Sequence, residues 1–493
     1  MYSTRKVVIR SGHPLYNYCI SVTQASNNMF NAALYRVRQV MTGVSKEESA
    51  LTQNEKDVLD EIRNALPSMG KGYNMPTAGK SFLSYKFLDK LMKTTNNPDY
   101  YNKKLPRQSA QHTLKLVVRT MKGFYAGLRA YNADSSKFTG KPQLPHYHKK
   151  GGCCTAIITN QDCPIRKGDN GHFFAHLPLT KELCDLGACV SGRLKQATIT
   201  PFHDVFILCF VFEDEKENAP VSCEPKRICA IDFGVDNTAA ITNNVGLPSL
   251  LFKGGVIKSN NQLYNKRMSE IASTQTKGTT NKFVPTAESM KLCLRRENQI
   301  SDYMHKLAKR IIQWCVDNKI DTIVMGINKQ WKQNSNLGKQ NNQKFVQIPF
   351  YKLQSYLSYL AEWNGIRIVE QEESYTSKSS FLDNDPIPVY GETKDKPSFS
   401  GKRRPTRYTR SWQENGLWIS KQYYKKDGFR GLYATKDGAV INSDLNGSAN
   451  IGRKAFPNLF NRDQNVRLDK VEVYYHPDAK NIAENKKKQK LST

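Results

Sequence analysis

The sequence predicts a mixed architecture, α/β combined with α+β: helices bracketed by strands in the N-terminal half, and alternating strands and helices in the C-terminal half. Three observations predict it. Apolar residues recur at helical spacing from Tyr18 to about Ala130. Short aromatic and β-branched runs take over between Thr155 and about Phe212. After a polar stretch containing proline, EDEKENAPVSCEPK, strand-like runs and long amphipathic stretches alternate through the rest of the chain.

Taken in order, residues 1–15 read as a strand. Helical patterns follow in SNNMFNAALYRVRQVM, SYKFLDKLMK and SAQHTLKLVVRTMKGFYAGLRAY, where Leu114, Val117, Met121 and Phe124 share one face. The Pro/Gly/Lys segment FTGKPQLPHYHKKGG ends this zone. TAIIT, HFFAHLPL, QATIT and VFILCFVF read as strands, and a domain boundary falls near 214–226. In the second half CAIDFG, AAITNN and SLLFKG are strands. They are followed by a long amphipathic helix whose Ile300, Met304, Leu307, Ile311 and Cys315 line one face. Next come the strand DTIVMG, the helix PFYKLQSYLSYLAEWNG and the strand IRIVE. After a basic, Gly- and Tyr-rich insert, a last helix opens at SDLNGSANIGRKAF. Three strands, helix, strand, helix, strand, helix is the order of the RNase H fold, which does not by itself give a function.

Lys and Arg number 74 against 44 Asp and Glu, a formal charge of +30. A surface that basic points to a polyanion, with nucleic acid the commonest, bound through phosphate contacts and counterion release. The basic residues alternate with Tyr, Phe and Trp, a texture suited to a channel with stacking platforms; the alternative is a set of solvated faces. No run of 18 apolar residues predicts a membrane span. The N-terminus lacks a signal-peptide core, so an intracellular protein is expected: cytoplasmic in a prokaryote, nuclear in a eukaryote. The eleven cysteines include no CxxC pair and end at Cys315; reduced thiols are expected rather than a metal site.

An RNase H-type nuclease needs carboxylates from separated elements around two divalent ions about 3.5–4 Å apart, and Mg²⁺ demands oxygen ligands. Asp232 closes the first strand of the C-terminal half, although an Asp before Gly also serves as a turn residue. Asp444 opens the last helix, a position it equally suits as an N-cap. The fourth strand, where a middle acid is usual, carries Gly326 and Asn328 instead. The neighbouring fifth strand, about 4.8 Å away, runs into Glu370, Glu372 and Glu373. A side chain from its end reaches the same space, and Glu373 is the first choice with Glu372 the fallback. The other reading is a solvated acidic loop.

The strings IDFGVDNTAAIT, GGVIKSNNQLYNK, VMGINKQWKQNSNLGKQNNQKFVQIPF, EESYTSKSSFLDND and GLYATKDGAVINSDLNGSANIGRK stand in this order, and SKFTGKPQLPHYHKK precedes them. Together they resemble the TnpB RNA-guided nucleases of insertion sequences, kin to the ancestors of type V CRISPR effectors. Within that family they resemble the branch with a relocated RuvC glutamate that includes the eukaryotic Fanzor relatives. The resemblance implies a catalytic, metal-binding trio of Asp232, Glu373 and Asp444 with two Mg²⁺ ions. It also implies a wedge-type β-barrel (1–15 and 150–225) interrupted by a helical recognition lobe (16–149). The RuvC nuclease domain would span 226–373 and 441–470, with a basic insert at 374–440 and a basic tail at 471–493. The implied partners are a guide RNA from the element's end and double-stranded target DNA carrying a short adjacent motif, with the guide reading the remaining sequence.

One departure stands out. The interval where many TnpB proteins carry a four-cysteine zinc ribbon has no cysteine, and Ser379 stands where a ligand is common. No zinc is expected there, and GKRRPTRYTRSW, with Arg403 and Arg404, would hold nucleic acid by charge and stacking. Lys258, Lys266, Arg267, Lys332 and Arg453 are candidate phosphate contacts, each also readable as an ordinary surface charge. Trp331 is a candidate stacking residue or a core residue. The rival functions are a non-cutting RNA-guided repressor and a guide-independent transposase or resolvase with the same nuclease fold.

Overall fold

The computed structural model describes residues 2–214, 220, 224–278, 280, 282–328, 346–389, 397–403, 407–414, 417–424 and 431–479. The chain divides into two compact units, Met1–Lys216 and Glu217–Thr493.

In the first unit, strand β1 (Tyr2–Ile9) pairs antiparallel with β7 (Val205–Glu213). The sheet continues through β6 (Arg193–Phe202) to β2 (Ala156–Thr159), in the order β1-β7-β6-β2. A second, three-stranded sheet joins β3 (Ile165–Lys167), β4 (Phe173–His176) and β5 (Leu183–Gly187). The helices are α1 (Tyr16–Gly43), α2 (Gln53–Met69), α3 (Tyr85–Thr94) and α4 (Arg107–Ala133). On α4, Leu114, Val117 and Met121 are buried as their spacing predicts. The sequence reading missed α2, which starts on a capping box between Thr52 and Glu55. The end of the Pro/Gly/Lys segment is strapped to α1. Asn31 donates to the His148 carbonyl at 3.0 Å and accepts from its N–H at 2.8 Å, and Arg38 donates to the Pro145 carbonyl at 2.8 Å.

The second unit is built on a six-stranded mixed sheet. Strands β8 (Ile228–Asp232), β9 (Asn237–Asn243) and β10 (Ser249–Lys253) form an antiparallel meander. Strand β11 (Thr322–Ile327) lies parallel beside β8, and β12 (Arg367–Glu372) parallel beside β11. Helices α5 (Gly255–Thr276), α6 (Ala287–Asp317) and α7 (Phe350–Trp363) supply the crossovers, and α8 (Ser443–Ala455) follows the insert. Strand β8 is apolar from Ile228 to Ile231 because both faces are covered there. Cys229 and Ile231 join the core formed with α6 and α7, whereas Ile228 and Ala230 join the core formed with Leu445, Ala449 and Ile451 of α8. The unit is RNase H-like.

Within the insert, β13 (Lys402–Arg403), β16 (Leu432–Ala434) and β17 (Val440–Asn442) form a small sheet. A separate hairpin pairs β14 (Arg407–Glu414) with β15 (Leu417–Tyr424).

One boundary needs correction. Residues 471–474, assigned from sequence to a basic tail, form strand β18 (Val471–Tyr474) and pair in parallel with β10 at the sheet edge. Tyr474 is 6 % exposed and stacks on Phe252, ring centroids 4.9 Å apart. The lysines further on conceal a strand of only four residues. Tyr474→Ala is expected to lower unfolding free energy by about 3 kcal/mol, measured by chemical denaturation; an unchanged midpoint would return the segment to a dispensable tail.

Candidate active site

Strand β8 ends at Asp232, and the following turn leads into β9 at Asn237. Strand β12 ends at Glu372, so Glu373 is the first residue past the sheet edge. Asp444 sits in the first turn of α8, whose N-cap Asn442 accepts from the backbone N–H groups of Asp444 and Leu445. The N-cap role open to Asp444 is therefore filled by its neighbour, which leaves its carboxylate available.

Two glycines let these elements close in. A Cβ on Gly447 would lie 2.5 Å from Asp232 Oδ2. A Cβ on Gly326 would lie 3.2 Å from Glu373 Oε2 and 2.5 Å from Ile451 Cδ1. The position in β11 where the sequence lacks an acid is thus the position whose bareness makes room for Glu373.

The electrostatics follow from that closeness. Burial first, then the charges of Glu373 and Asp444, push the Asp232 carboxyl well above the ordinary carboxylate range, with Arg403 pulling the other way. Burial and the adjacent Glu372 raise Glu373 from 4.5 to about 7. Its Oε2 is buried with no hydrogen-bond partner. Glu372 behaves in the opposite sense: despite some burial, Lys454 at 2.7 Å and Ser374 hold it below its usual range. Asp444 accepts from Asn237 Nδ2 at 2.6 Å and faces the Arg403 guanidinium at 3.7 Å. Among the described residues no three acid, His or Cys side chains already stand at metal-ligand distances. Neighbouring half-buried carboxylates repel one another, and this set, all oxygen with one unpartnered atom, suits a hard divalent cation.

The basic candidates separate into distinct roles. Arg403 reaches the acids. Lys258 is paired with Asp236 at 2.7 Å. Lys266 and Arg267 are exposed on α5, and Arg267 lines a cleft of about 290 Å³ between α5 and α6 with Lys291, Arg295 and Arg296. Arg404, Trp331 and Lys332 lie outside the described residues.

Arg453 requires correction as a phosphate contact. It is 7 % exposed and donates to Asn384 Oδ1 at 2.6 Å and the Asp385 carbonyl at 2.7 Å. Its head is spent on holding the loop after Glu373, a long-range partnership that a terminal-turn arginine does not reveal in sequence. Asn446 and Asn450, one helical turn apart on α8, grip the same loop. Asn450 donates to the carbonyls of Thr376 and Ser379, and Asn446 to that of Ser379. Ser379 is itself buried, its hydroxyl donating to the Pro386 carbonyl. Sequence reasoning passed over Asn237, Asn446 and Asn450; the Asn–Asn spacing in DLNGSAN was the available signal.

The family model of the OrfB_IS605 probable transposase matches residues 210–332, and that of the Cas12f1-like TNB domain matches residues 350–451. Across these two segments the chain is similar to the TnpB proteins and their Cas12f relatives. No curated protein matches it by sequence. Among solved structures, a Cas12f1–sgRNA–target DNA complex aligns over 91% of this chain and 98% of that one, at 11% identity and a TM-score of 0.46. The mini-RNA-guided endonuclease CRISPR-Cas_phi3 aligns over 92% of each chain, at 9% identity and 0.40. At those TM-scores neither alignment carries weight for function.

The raised carboxyls give a stability signature. In the ion-free protein, Glu373 binds a proton more tightly folded than unfolded. Its stabilising contribution is complete below about pH 4.5 and lost as pH rises through about 7. Chemical denaturation across that window should show falling stability, with a shallower fall in Glu373→Gln; an identical slope in the variant would contradict this origin.

Proposed function

We propose that this chain is an RNA-guided DNA endonuclease that cuts DNA beside a short adjacent motif by two-ion phosphodiester hydrolysis. The observation that carries this reading is that Glu373 at the end of β12 and Asp444 at the start of α8 lie close enough to Asp232 of β8 for their charges, after burial, to raise its carboxyl. The two family-model matches in the same unit support it.

Asp232, Glu373 and Asp444 would hold the ions through their carboxylate oxygens. Magnesium, when bound, supplies the charge that activates water and stabilises the leaving oxygen. The chain's own groups do the rest. Gly326 and Gly447 set the spacing of the acids, and Lys454 holds Glu372 aside so that Glu373 faces inward. Arg403 carries positive charge to the edge of the site, suited to a phosphodiester. In the first unit, the two sheets would serve as the wedge barrel and α1–α4 as the recognition lobe, gripping guide RNA and its heteroduplex with DNA. The cysteine-free insert would hold a strand by charge and stacking, with no zinc. The adjacent motif is read by the protein and the remaining target by base pairing.

The test is cleavage of a plasmid library with randomised flanks by protein purified with its co-expressed RNA, with and without magnesium, beside Asp232→Ala. RNA- and magnesium-dependent cutting next to one short motif, lost in the variant, is expected. Tight RNA-dependent binding with no cutting would overturn the nuclease reading in favour of a repressor; cutting without RNA would point to a transposase or resolvase.

A further inference from the structure

Asn237 opens strand β9, five residues after Asp232, and is 4 % exposed. The turn that delivers it is tight: a Cβ on Gly234 would come within 3.0 Å of the Asn237 carbonyl and 3.9 Å of Asp444 Oδ2. Its side-chain amide lies against Asp444, Nδ2 to Oδ2 at 2.6 Å. An ionised carboxylate only accepts hydrogen bonds, so the amide must present its N–H₂ end there. Asn237 Oδ1 therefore faces away from Asp444, and it is buried with no hydrogen-bond partner.

A buried amide oxygen left unpaired is costly, so its retention beside the Asp444 carboxylate calls for a donor that joins it there. The acids cannot serve when ionised. Among the described cations nearby, Arg403 contacts Asp444 Oδ1 and Lys258 is held by Asp236. Water entering with a divalent cation meets the requirement, because such water is polarised and donates strongly.

We propose that Asn237 is a positioning residue of the carboxylate site, orienting Asp444 through Nδ2 and accepting from water of the loaded site through Oδ1. This rests on the nuclease reading of the same acids. Groups that orient metal-ligating carboxylates typically change ion affinity or activity by about 10- to 100-fold when removed. Asn237 differs from the ligands in that it need not touch the ion: the amide fixes which Asp444 oxygen turns inward.

The direct test is Mn²⁺ binding to the full-length protein, followed by electron paramagnetic resonance. Two variants are compared with the parent: Asn237→Ala, which deletes the amide, and Asn237→Leu, which keeps similar volume without its polar ends. Both are expected to bind Mn²⁺ about 10- to 100-fold more weakly and to broaden the signal of the bound ion. Parent-like affinity in Asn237→Leu would reduce the residue to packing and overturn the proposal. Asp444→Ala separates the two levels. If it abolishes binding while both Asn237 variants bind normally, the positioning role fails and the nuclease reading stands; if it too binds normally, the reading of the acids fails. A second measurement needs no variant: a crystal structure of the parent with Mn²⁺ should show ordered water on Asn237 Oδ1. An Oδ1 still without a donor there would overturn the proposal.

Discussion

Helix α8 comes so close to strand β8 that a single added carbon on Gly447 would collide with Asp232. That approach decides most of what the C-terminal unit can do. It is possible because α8 is polar where it meets the sheet: Ser448 donates to the Ala230 carbonyl at 2.8 Å and pairs with Thr242 at 2.9 Å. These bonds satisfy groups that burial would otherwise leave unpaired. They also draw the start of the helix, and with it Asp444, toward the end of β8. The apolar side chains Leu445, Ala449 and Ile451 fill the remaining space against Ile228, Ala230 and Val324.

Packing then forces an electrostatic problem. Burial, and then the charges of Glu373 and Asp444, raise the proton affinity of Asp232. The fold holds this unfavourable arrangement through a web of neutral hydrogen bonds from Asn446 and Asn450, and through buried Arg453 on the loop that follows Glu373. Strained charge sustained by surrounding structure is a common mark of a working site, though structural ion networks also produce it. The unpartnered Glu373 oxygen and the all-carboxylate composition fit the divalent cation proposed for the site, and Arg403 offsets part of the negative charge.

Much of this was legible in the sequence. The alternation of strands and amphipathic helices predicted the sheet and its crossovers, and Ile300, Met304, Leu307, Ile311 and Cys315 of α6 are all buried, as their spacing predicted. Asp232 and Asp444 stood out because each falls where an element begins or ends. Glu373 needed both the resemblance and the adjacency of the fourth and fifth strands, and nothing in local sequence separated it from Glu372. What separates them is Lys454, 82 residues away. Arg453 and β18 were misread for the same reason: an arginine in a last helical turn and a short strand before lysines look solvated until distant partners cover them. Asn237 went unnoticed because a buried amide has no periodic signature.

In the proposed nuclease, Glu373 supplies the acid that β11 lacks. The decisive comparison is the cleavage rate of the RNA-loaded protein carrying Glu373→Ala, set against Glu372→Ala under saturating magnesium. The first variant is expected to lose cutting by at least about 100-fold, the loss of an interaction worth roughly 2.7 kcal/mol, while RNA binding persists. The second should retain cutting within about tenfold, since Glu372 is taken up by Lys454 and Ser374. Undiminished cutting by Glu373→Ala, or a reversal of the two, would contradict it.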